Sequence, residues 1–346
     1  MRIVIPAAGR SSRYPGTRPK YLLTMPDGRL MISHVIDSYL RKGHKPTVII
    51  VKEHVEQYDA EYALRGIYGD AIDIYILDDF TNGPAETLYK YCIGNRRDGQ
   101  IIAHDCDSIF EYNIPTGKNF VVYVDLHDYP DLSNIANKSF LHIDEPEGLL
   151  KNIVEKRVSS EYICVGAYGF RNAEQYIEMY ETERDSISAE LFISHIVRGY
   201  LAADRACTTV HATNYVDCGT IEAFNHNSRN HTTIFCDLDG VVFYNQSHYF
   251  KNNYNNSPVP IPNAVSFLLE RQNKGSKFYF TTARPSQYRN ITEAALTQLG
   301  FVDFQVIYDV PHAPRLLIND IAITNPWPSA SSINVPRDDN DYWKKI

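Results

Sequence analysis

Apolar positions along this chain fall into two alternating patterns. Short β-branched runs, IVI at 3–5, TVIIV at 47–51 and IDIYIL at 72–77, predict buried strands. Between them the spacing becomes helical. Ile32, Val35, Ile36 and Tyr39 share one face of a helix predicted over 31–41, and residues 84–91 read as another helix. A further strand at 101–103 ends in His-Asp-Cys-Asp. Strand and helix in alternation predict an α/β fold with a mostly parallel sheet covered by helices.

The middle of the chain is richer in strands. Residues 120–124, 139–143 and 162–170 read as sheet segments, and 173–180 and 189–201 as helices. At 224–232 the sequence FNHNSRNHT is polar and rich in Asn and His, which marks a linker. The rhythm then restarts with a strand at 233–237, a helix at 264–272, a strand at 277–281, a helix at 291–299 and a strand at 316–318. The chain therefore divides into 1–226 and 231–346.

Composition narrows the function. With 346 residues and 44% hydrophobic content there is apolar material for more than one core. A formal charge of -8 argues against a nucleic-acid binder. The first apolar run breaks at Pro6, too short for a signal peptide or a membrane span, so a cytoplasmic protein is expected. Six cysteines form no C-x-x-C pair, which speaks against zinc and for reduced, buried thiols.

The strand at 3–5 runs into Ala7-Ala8-Gly9-Arg10-Ser11-Ser12-Arg13, and Pro19-Lys20-Tyr21-Leu22 follows. Small residues let backbone amides approach an anion, and Arg13 and Lys20 can neutralise a triphosphate. The loop is neither a Walker loop nor a dinucleotide fingerprint. Alone, it reads equally as a surface turn with scattered cations.

Three more stretches join it. AAGRSSR with PKYLL resembles the signature loop of the sugar-phosphate nucleotidyltransferases. Asp107-Ser108-Ile109-Phe110 resembles that family's metal-binding Asp segment. Val154-Glu155-Lys156 with Val165-Gly166-Ala167-Tyr168-Gly169-Phe170 is similar to its E-K-P and V-G-x-Y-x-F segments. Tyr215-Val216-Asp217-Cys218-Gly219-Thr220 is similar to its W-x-D-x-G-T segment. All four occur in the family's order, over about residues 1–225. The resemblance implies a Rossmann-like domain with a mixed sheet. In it Ala8, Gly9, Arg10 and Ser11 would bind a nucleoside triphosphate, and Gly83 would contact the base. Arg13 and Lys20 would stabilise developing charge, Asp107 and Asp217 would hold Mg2+, and Lys156 would bind the acceptor phosphate. The acceptor would be a sugar- or polyol-phosphate, and the NTP a pyrimidine: CTP, UTP or dTTP. The chain departs from the family at Ser11 or Ser12, where a second glycine is usual, and at Arg157, where proline is usual.

In the tail, Ile234-Phe235-Cys236-Asp237-Leu238-Asp239-Gly240 is an apolar strand ending in D-x-D-G. The two-residue period puts Asp237 and Asp239 on one side, where two carboxylates favour a cation between them. The pattern resembles motif I of haloacid dehalogenase-like phosphatases. The segment ending Thr281-Thr282-Ala283-Arg284 looks like motif II, and Leu316-Leu317-Ile318-Asn319-Asp320 like motif IV. The resemblance implies a capless Rossmannoid domain. Asp237 would be its nucleophile, Asp239 its acid and base, Thr282 and Arg315 its phosphate-binding groups, and Asp237, Asp239 and Asp320 its magnesium ligands. Arg315 stands where that family has lysine, and Asn319 replaces one acidic residue.

Together these features imply a bifunctional enzyme, with a homodimer as the default assembly, acting on small phosphorylated molecules for surface polysaccharide precursors, with no nucleic-acid or membrane partner. Two other readings stay open. Asp105-Cys106-Asp107 is also the D-x-D of metal-dependent glycosyltransferases, and the tail could be a non-catalytic binding module.

Overall fold

The computed structural model describes residues 1–346 apart from 96–98, 133, 145, 185–189, 230, 250, 323–328 and 346, and the side chain of Arg229. The chain divides into two compact units, Met1–Asn225 and His226–Ile346.

The N-terminal unit opens with β1 (Arg2–Pro6), α1 (Met31–Arg41), β2 (Pro46–Val51), α2 (Lys52–Tyr58), α3 (Ala60–Tyr68), β3 (Asp73–Leu77), α4 (Pro84–Gly94) and β4 (Ile101–His104). It continues with β5 (Ser108–Glu111), β6 (Phe120–Asp125), β7 (Ser139–Asp144), β8 (Leu149–Glu155), β9 (Tyr162–Phe170), α5 (Ala173–Glu183), α6 (Ile193–Ala202), β10 (Thr208–His211) and β11 (Thr213–Asp217). Nine strands form one sheet in the order β3-β2-β1-β4-β9-β6-β10-β8-β7. The β3-β2-β1-β4 half is parallel, whereas β9 runs antiparallel to both β4 and β6. The sheet is therefore mixed.

Alternation along β1 explains why the sheet is covered on both faces. Val4 enters one core with Ile49, Leu88 and Tyr176. Ile3 and Ile5 enter the other with Ile32, Val35, Ile36 and Tyr39 of α1. A strand buried on both sides has no polar face, which is why these runs read as continuous apolar blocks. Helix α4 begins as its sequence dictates, with Pro84 in the first turn after Gly83. Asn172 caps α5 by accepting the Glu174 N–H at 2.7 Å.

Several boundaries differ from expectation. From the sequence no element is expected at 52–68, yet α2 and α3 stand there, and each buries only one or two residues, such as His54, Ala60 and Leu64. Helix α6 starts at Ile193, and the expected start at Ala189 lies outside the described residues. The polar stretch expected as a linker is largely helical: α7 spans Ile221–Arg229 and buries Ala223 and Phe224 on one side.

The C-terminal unit contains β12 (Thr233–Asp237), α8 (Pro262–Asn273), β13 (Lys277–Thr281), α9 (Arg289–Gln298) and β14 (Gln305–Ile307). Its sheet is parallel, in the order β12-β13-β14, over a core of Phe243, Leu268, Phe278, Phe280, Leu296 and Phe301. The strand expected at 316–318 is not there. Leu316 and Ile318 are 84% and 83% exposed. The physical reason is length: only residues 308–315 separate β14 from this segment, and a parallel strand needs a crossover of roughly a dozen residues or more.

All six cysteines are free and buried, and burial pushes thiols such as Cys92 and Cys106 up to about 12. Among the described residues no helix is long and apolar enough to cross a membrane.

Candidate active site

The N-terminal unit holds a cleft of about 1220 Å³ at the C-terminal ends of its parallel strands. That volume exceeds the usual range for one small ligand, so two substrates fit. Ala8, Gly9, Arg10, Ser11, Arg13, Lys20, Gly83, Asp105, Asp107, Lys156 and Asp217 all line it. Residues far apart in the chain, found by pattern and resemblance, therefore share one cleft.

The loop after β1 is fixed from within. Ser11 takes a left-handed conformation, φ 50°. Its backbone C=O accepts the Tyr14 N–H at 2.8 Å and its hydroxyl accepts the Lys20 N–H at 3.0 Å. Ser11 thus occupies the conformation that favours glycine, so the departure from the family pattern keeps the turn. The Tyr14 hydroxyl donates to the carbonyls of Cys218 at 2.5 Å and Thr220 at 2.8 Å, tying the loop to the segment after Asp217. A Cβ on Gly9 would meet nothing within 4 Å, so the space above that backbone is open.

Asp107 and Asp217 are brought together by β5 and β11, an antiparallel pair in which Asp217 faces Ser108. The Cys218 N–H donates to the Asp107 carbonyl at 2.9 Å. A Cβ built on Gly219 would stand 3.1 Å from Asp217 Oδ1 and 3.4 Å from Asp107 Oδ2, so both carboxylates face one space that glycine keeps clear. Each carboxylate has a lysine. Lys20 pairs with Asp107, and Lys138 Nζ lies 2.7 Å from Asp217 Oδ2. Burial alone would lower the Lys20 ammonium, but Asp107 outweighs it and raises it. Burial would likewise raise Asp107, yet Lys20 and Arg13 hold it below the ordinary carboxylate range. Among the described residues Asp105 makes no ion pair: burial first, and then Asp107, push it up to about 7 against the opposing pull of Lys20, Lys138 and Arg13.

Two hard oxygen donors facing one space fit a magnesium ion, which takes one or two carboxylates and completes its shell with water and substrate phosphates. Among the described residues no cluster of three or more metal-binding side chains occurs.

The remaining cations stand ready. Arg10 lies over the Phe80 ring at 4.2 Å and Lys156 over Phe192 at 4.0 Å. Lys156 is also left-handed, φ 52°. Gly83 has φ 129°, and a Cβ there would meet Glu190 Cγ at 2.8 Å and the Leu191 carbonyl at 3.1 Å. Glu190 therefore acts as a wall beside the glycine, rather than as the first turn of α6.

Sequence reasoning missed Lys138 and Tyr14. Neither sits in a recognisable motif; Lys138 merely precedes a strand. His104, next to Asp105, is a core residue: burial pulls its imidazole down to about 4, and it bonds the Tyr39 hydroxyl at 2.7 Å.

The C-terminal unit gathers four of its expected residues at the end of β12 and β13. Arg315 Nη2 lies 3.2 Å from Asp237 Oδ1. Thr282 is fully buried and donates to Asp239 at 3.0 Å. Gly240, φ 88°, makes the turn. Asp237 is pushed up by burial. Arg284, which carried no assigned role, dominates this site. It is 0% exposed and grips both Asp239 oxygens, with Nη2 at 2.7 Å from Oδ1 and Nε at 2.9 Å from Oδ2. Gln246 and Thr292 take its other hydrogens. Asp320 stands instead on the exposed segment after Ile318 and makes no hydrogen bond or ion pair among the described residues. With Asp239 occupied by Arg284 and Asp320 elsewhere, this donor set does not fit a magnesium ion.

No protein-family model matches this chain, and no curated protein matches it by sequence. Solved structures do match in fold. A nucleoside-diphosphate-sugar pyrophosphorylase from Vibrio cholerae RC9 shares 20% identity over 65% of this chain and 98% of its own, with a TM-score of 0.55. An inositol-1-phosphate CTP transferase from T. maritima shares 12% over 64% and 90%, TM-score 0.52. A UDP-glucose pyrophosphorylase complexed with UDP-glucose shares 15% over 65% and 96%, TM-score 0.52. About two thirds of the chain therefore has a nucleotidyltransferase-like fold.

Proposed function

We propose that the N-terminal unit transfers a nucleotidyl group from an NTP, a pyrimidine triphosphate such as CTP, UTP or dTTP, to a sugar- or polyol-phosphate, releasing pyrophosphate. The observation that carries this reading is the cleft lined together by the Ala8–Arg13 loop, Lys20, Asp107, Asp217 and Lys156. The fold likeness to pyrophosphorylases supports it. In such a transfer the acceptor phosphate oxygen attacks the α-phosphorus and pyrophosphate leaves in line, so the protein must position groups and neutralise charge. The open backbone at Gly9 receives the triphosphate, with Arg10 and Arg13 beside it. Lys20 stabilises charge on the α-phosphate and leaving group. Lys156, stacked on Phe192, holds the acceptor phosphate. Asp107 and Asp217 would hold magnesium, which supplies further charge neutralisation when bound. A direct test incubates the protein with Mg2+, each NTP and a panel of sugar and polyol phosphates, and assays pyrophosphate. No pyrophosphate from any pair rejects the reading. A glycosyltransferase using Asp105 and Asp107 would instead be stabilised in a thermal melt by a nucleotide-sugar rather than by an NTP.

For the C-terminal unit we propose phosphate-monoester hydrolysis, with Asp237 as nucleophile and Arg315 and Thr282 about the phosphoryl group. Attack by the Asp237 carboxylate would give an aspartyl-phosphate and release the alcohol, and water would then regenerate the carboxylate. A second reading, a non-catalytic module, is favoured by the Arg284 clamp on Asp239 and by the position of Asp320. Phosphatase assays of wild type against Asp237→Asn decide between them: equal background rates on a broad ester panel favour the module. Both units joined in one chain suit the supply of precursors for surface polysaccharide.

A further inference from the structure

Lys138 is a cation of the cleft that the transfer reading does not use. Lys138 is 16% exposed and its ammonium is 2.7 Å from Asp217 Oδ2 and 3.0 Å from the Tyr215 hydroxyl, over whose ring it also lies. Asp217 is itself only 4% exposed. A divalent ion approaching the space between Asp107 and Asp217 therefore meets a carboxylate already neutralised by an ammonium. Lys138 holds Asp217 Oδ2 and the Gly219 N–H holds Oδ1 at 3.0 Å, so an ion bound between Asp107 and Asp217 must take an oxygen that already has a partner, against the charge of the ammonium beside it.

The backbone says where the displaced ammonium can go. Residue 138 leads into β7, and its carbonyl accepts the Lys156 N–H at 3.0 Å. Ser139 then faces Glu155 in the β7–β8 register. Lys138 and Lys156 are thus neighbours at one end of a two-stranded pair, and both line the cleft. Lysine suits an exchange of partners, because a point charge on a flexible stem is not bound to one planar geometry.

We propose that Lys138 is a positioning residue that holds Asp217 until a divalent ion takes its place, and that it is then released to bind the acceptor phosphate beside Lys156. This rests on the nucleotidyl-transfer reading of the cleft. It goes beyond that reading by assigning a second lysine to the acceptor and an order of events to the site.

The test uses the full chain and Mn2+ as the probe. Mn2+ is titrated by electron paramagnetic resonance into wild type and Lys138→Met without substrates. Removal of a competing, partly buried cation should tighten Mn2+ binding about tenfold, the equivalent of about 1.4 kcal/mol. In the transfer assay the same variant should raise the acceptor KM about tenfold while the NTP KM stays within about twofold. Because Lys138→Met leaves Asp217 buried without its partner, a measurement on wild type stands beside it: the rate of Lys138 modification by formaldehyde and borohydride, read by mass spectrometry. Mn2+ should raise that rate several-fold. Equal Mn2+ affinity in the two proteins, or a modification rate indifferent to Mn2+, overturns the exchange. An unchanged acceptor KM overturns the second role. Failure of the transfer reading looks different: wild type then makes no pyrophosphate from any NTP, whatever Mn2+ does at Lys138.

Discussion

Both units bring a pair of aspartates together beside their strands, and they balance the charge in opposite ways. In the N-terminal unit Asp107 and Asp217 are each met by a lysine, and both line an open cleft. In the C-terminal unit Asp239 is held by the planar fork of Arg284, which is completely buried and hydrogen-bonded on its far side. A lysine offers a point charge that can change partner, whereas a two-pronged arginine fixes one geometry. The first arrangement suits a site that must admit a metal ion and a triphosphate. The second suits a site that keeps its shape.

The largest effect that can break this contrast is at Asp107. Asp107→Asn removes one of two carboxylates facing the shared space and leaves Lys20 without its partner. Pyrophosphate formation should fall about 10³-fold, the scale seen when a charge-stabilising group is lost from a reaction centre. A fall of less than tenfold would mean that the Asp107–Asp217 space is not where transfer occurs. The C-terminal counterpart is read by stability. Arg284→Met leaves Asp239 buried without its ion partner, which costs about 3–5 kcal/mol. Denaturant unfolding of the full chain measures it. A loss under about 1 kcal/mol would show that the clamp is no more than a surface pair.

How far these contrasts were legible in sequence follows from their physics. The strands of the N-terminal sheet were readable because each is buried on both faces and so carries an unbroken apolar run. Asp107 was readable because it follows an apolar strand, and Asp217 because it falls in a segment similar to a known family's. Lys138 was not, since it stands just before β7 and its side chain meets Tyr215, 77 residues on, and Asp217, contacts that nothing local records. Arg284 was inside a quoted motif, but its burial follows from Phe243 and Tyr254, whose rings lie within 5.6 Å and 5.3 Å of the guanidinium. The segment at 316–318 misled for the converse reason. Its apolar residues fit a strand, while the crossover length, a nonlocal constraint, does not allow one.

A smaller effect separates the two carboxylates of the D-x-D. Asp107 is held down by Lys20, but Asp105 is pushed up to about 7 by burial and by Asp107. An acid raised in the folded state keeps a proton that the unfolded chain has released. Between about pH 4 and 7 the folded chain therefore binds more protons at Asp105, and stability falls as pH rises through that window. Asp105→Asn should match wild type near pH 4 and exceed it at pH 8 by on the order of 2 kcal/mol, a figure reduced for the half-buried position of the group. Paired unfolding curves at the two pH values check this. A variant less stable than wild type at pH 8 would mean that the ionised Asp105 is stabilised by Lys20 and Lys138 more than burial opposes it.

The smallest effect compares the two turns that carry the sites. Ser11 and Gly240 both take positive φ, 50° and 88°. At Ser11 the strain of a left-handed side chain is offset by the hydroxyl that accepts the Lys20 N–H. Ser11→Gly removes both, about 1 kcal/mol of strain against about 1 kcal/mol of hydrogen bond, so the net change should be near zero. Ser11→Ala keeps the strain and loses the bond, and should destabilise by about 1 kcal/mol. Gly240 has no such compensation. A Cβ there would stand 2.7 Å from Arg337 Cγ, and Gly240→Ala should cost about 1–3 kcal/mol. If Ser11→Gly proves as costly as Gly240→Ala, the serine contributes more than its hydroxyl bond to Lys20. The loop would then be held by a contact that the glycine of related loops does not make, and its departure from the family pattern would be a gain in rigidity rather than a neutral exchange.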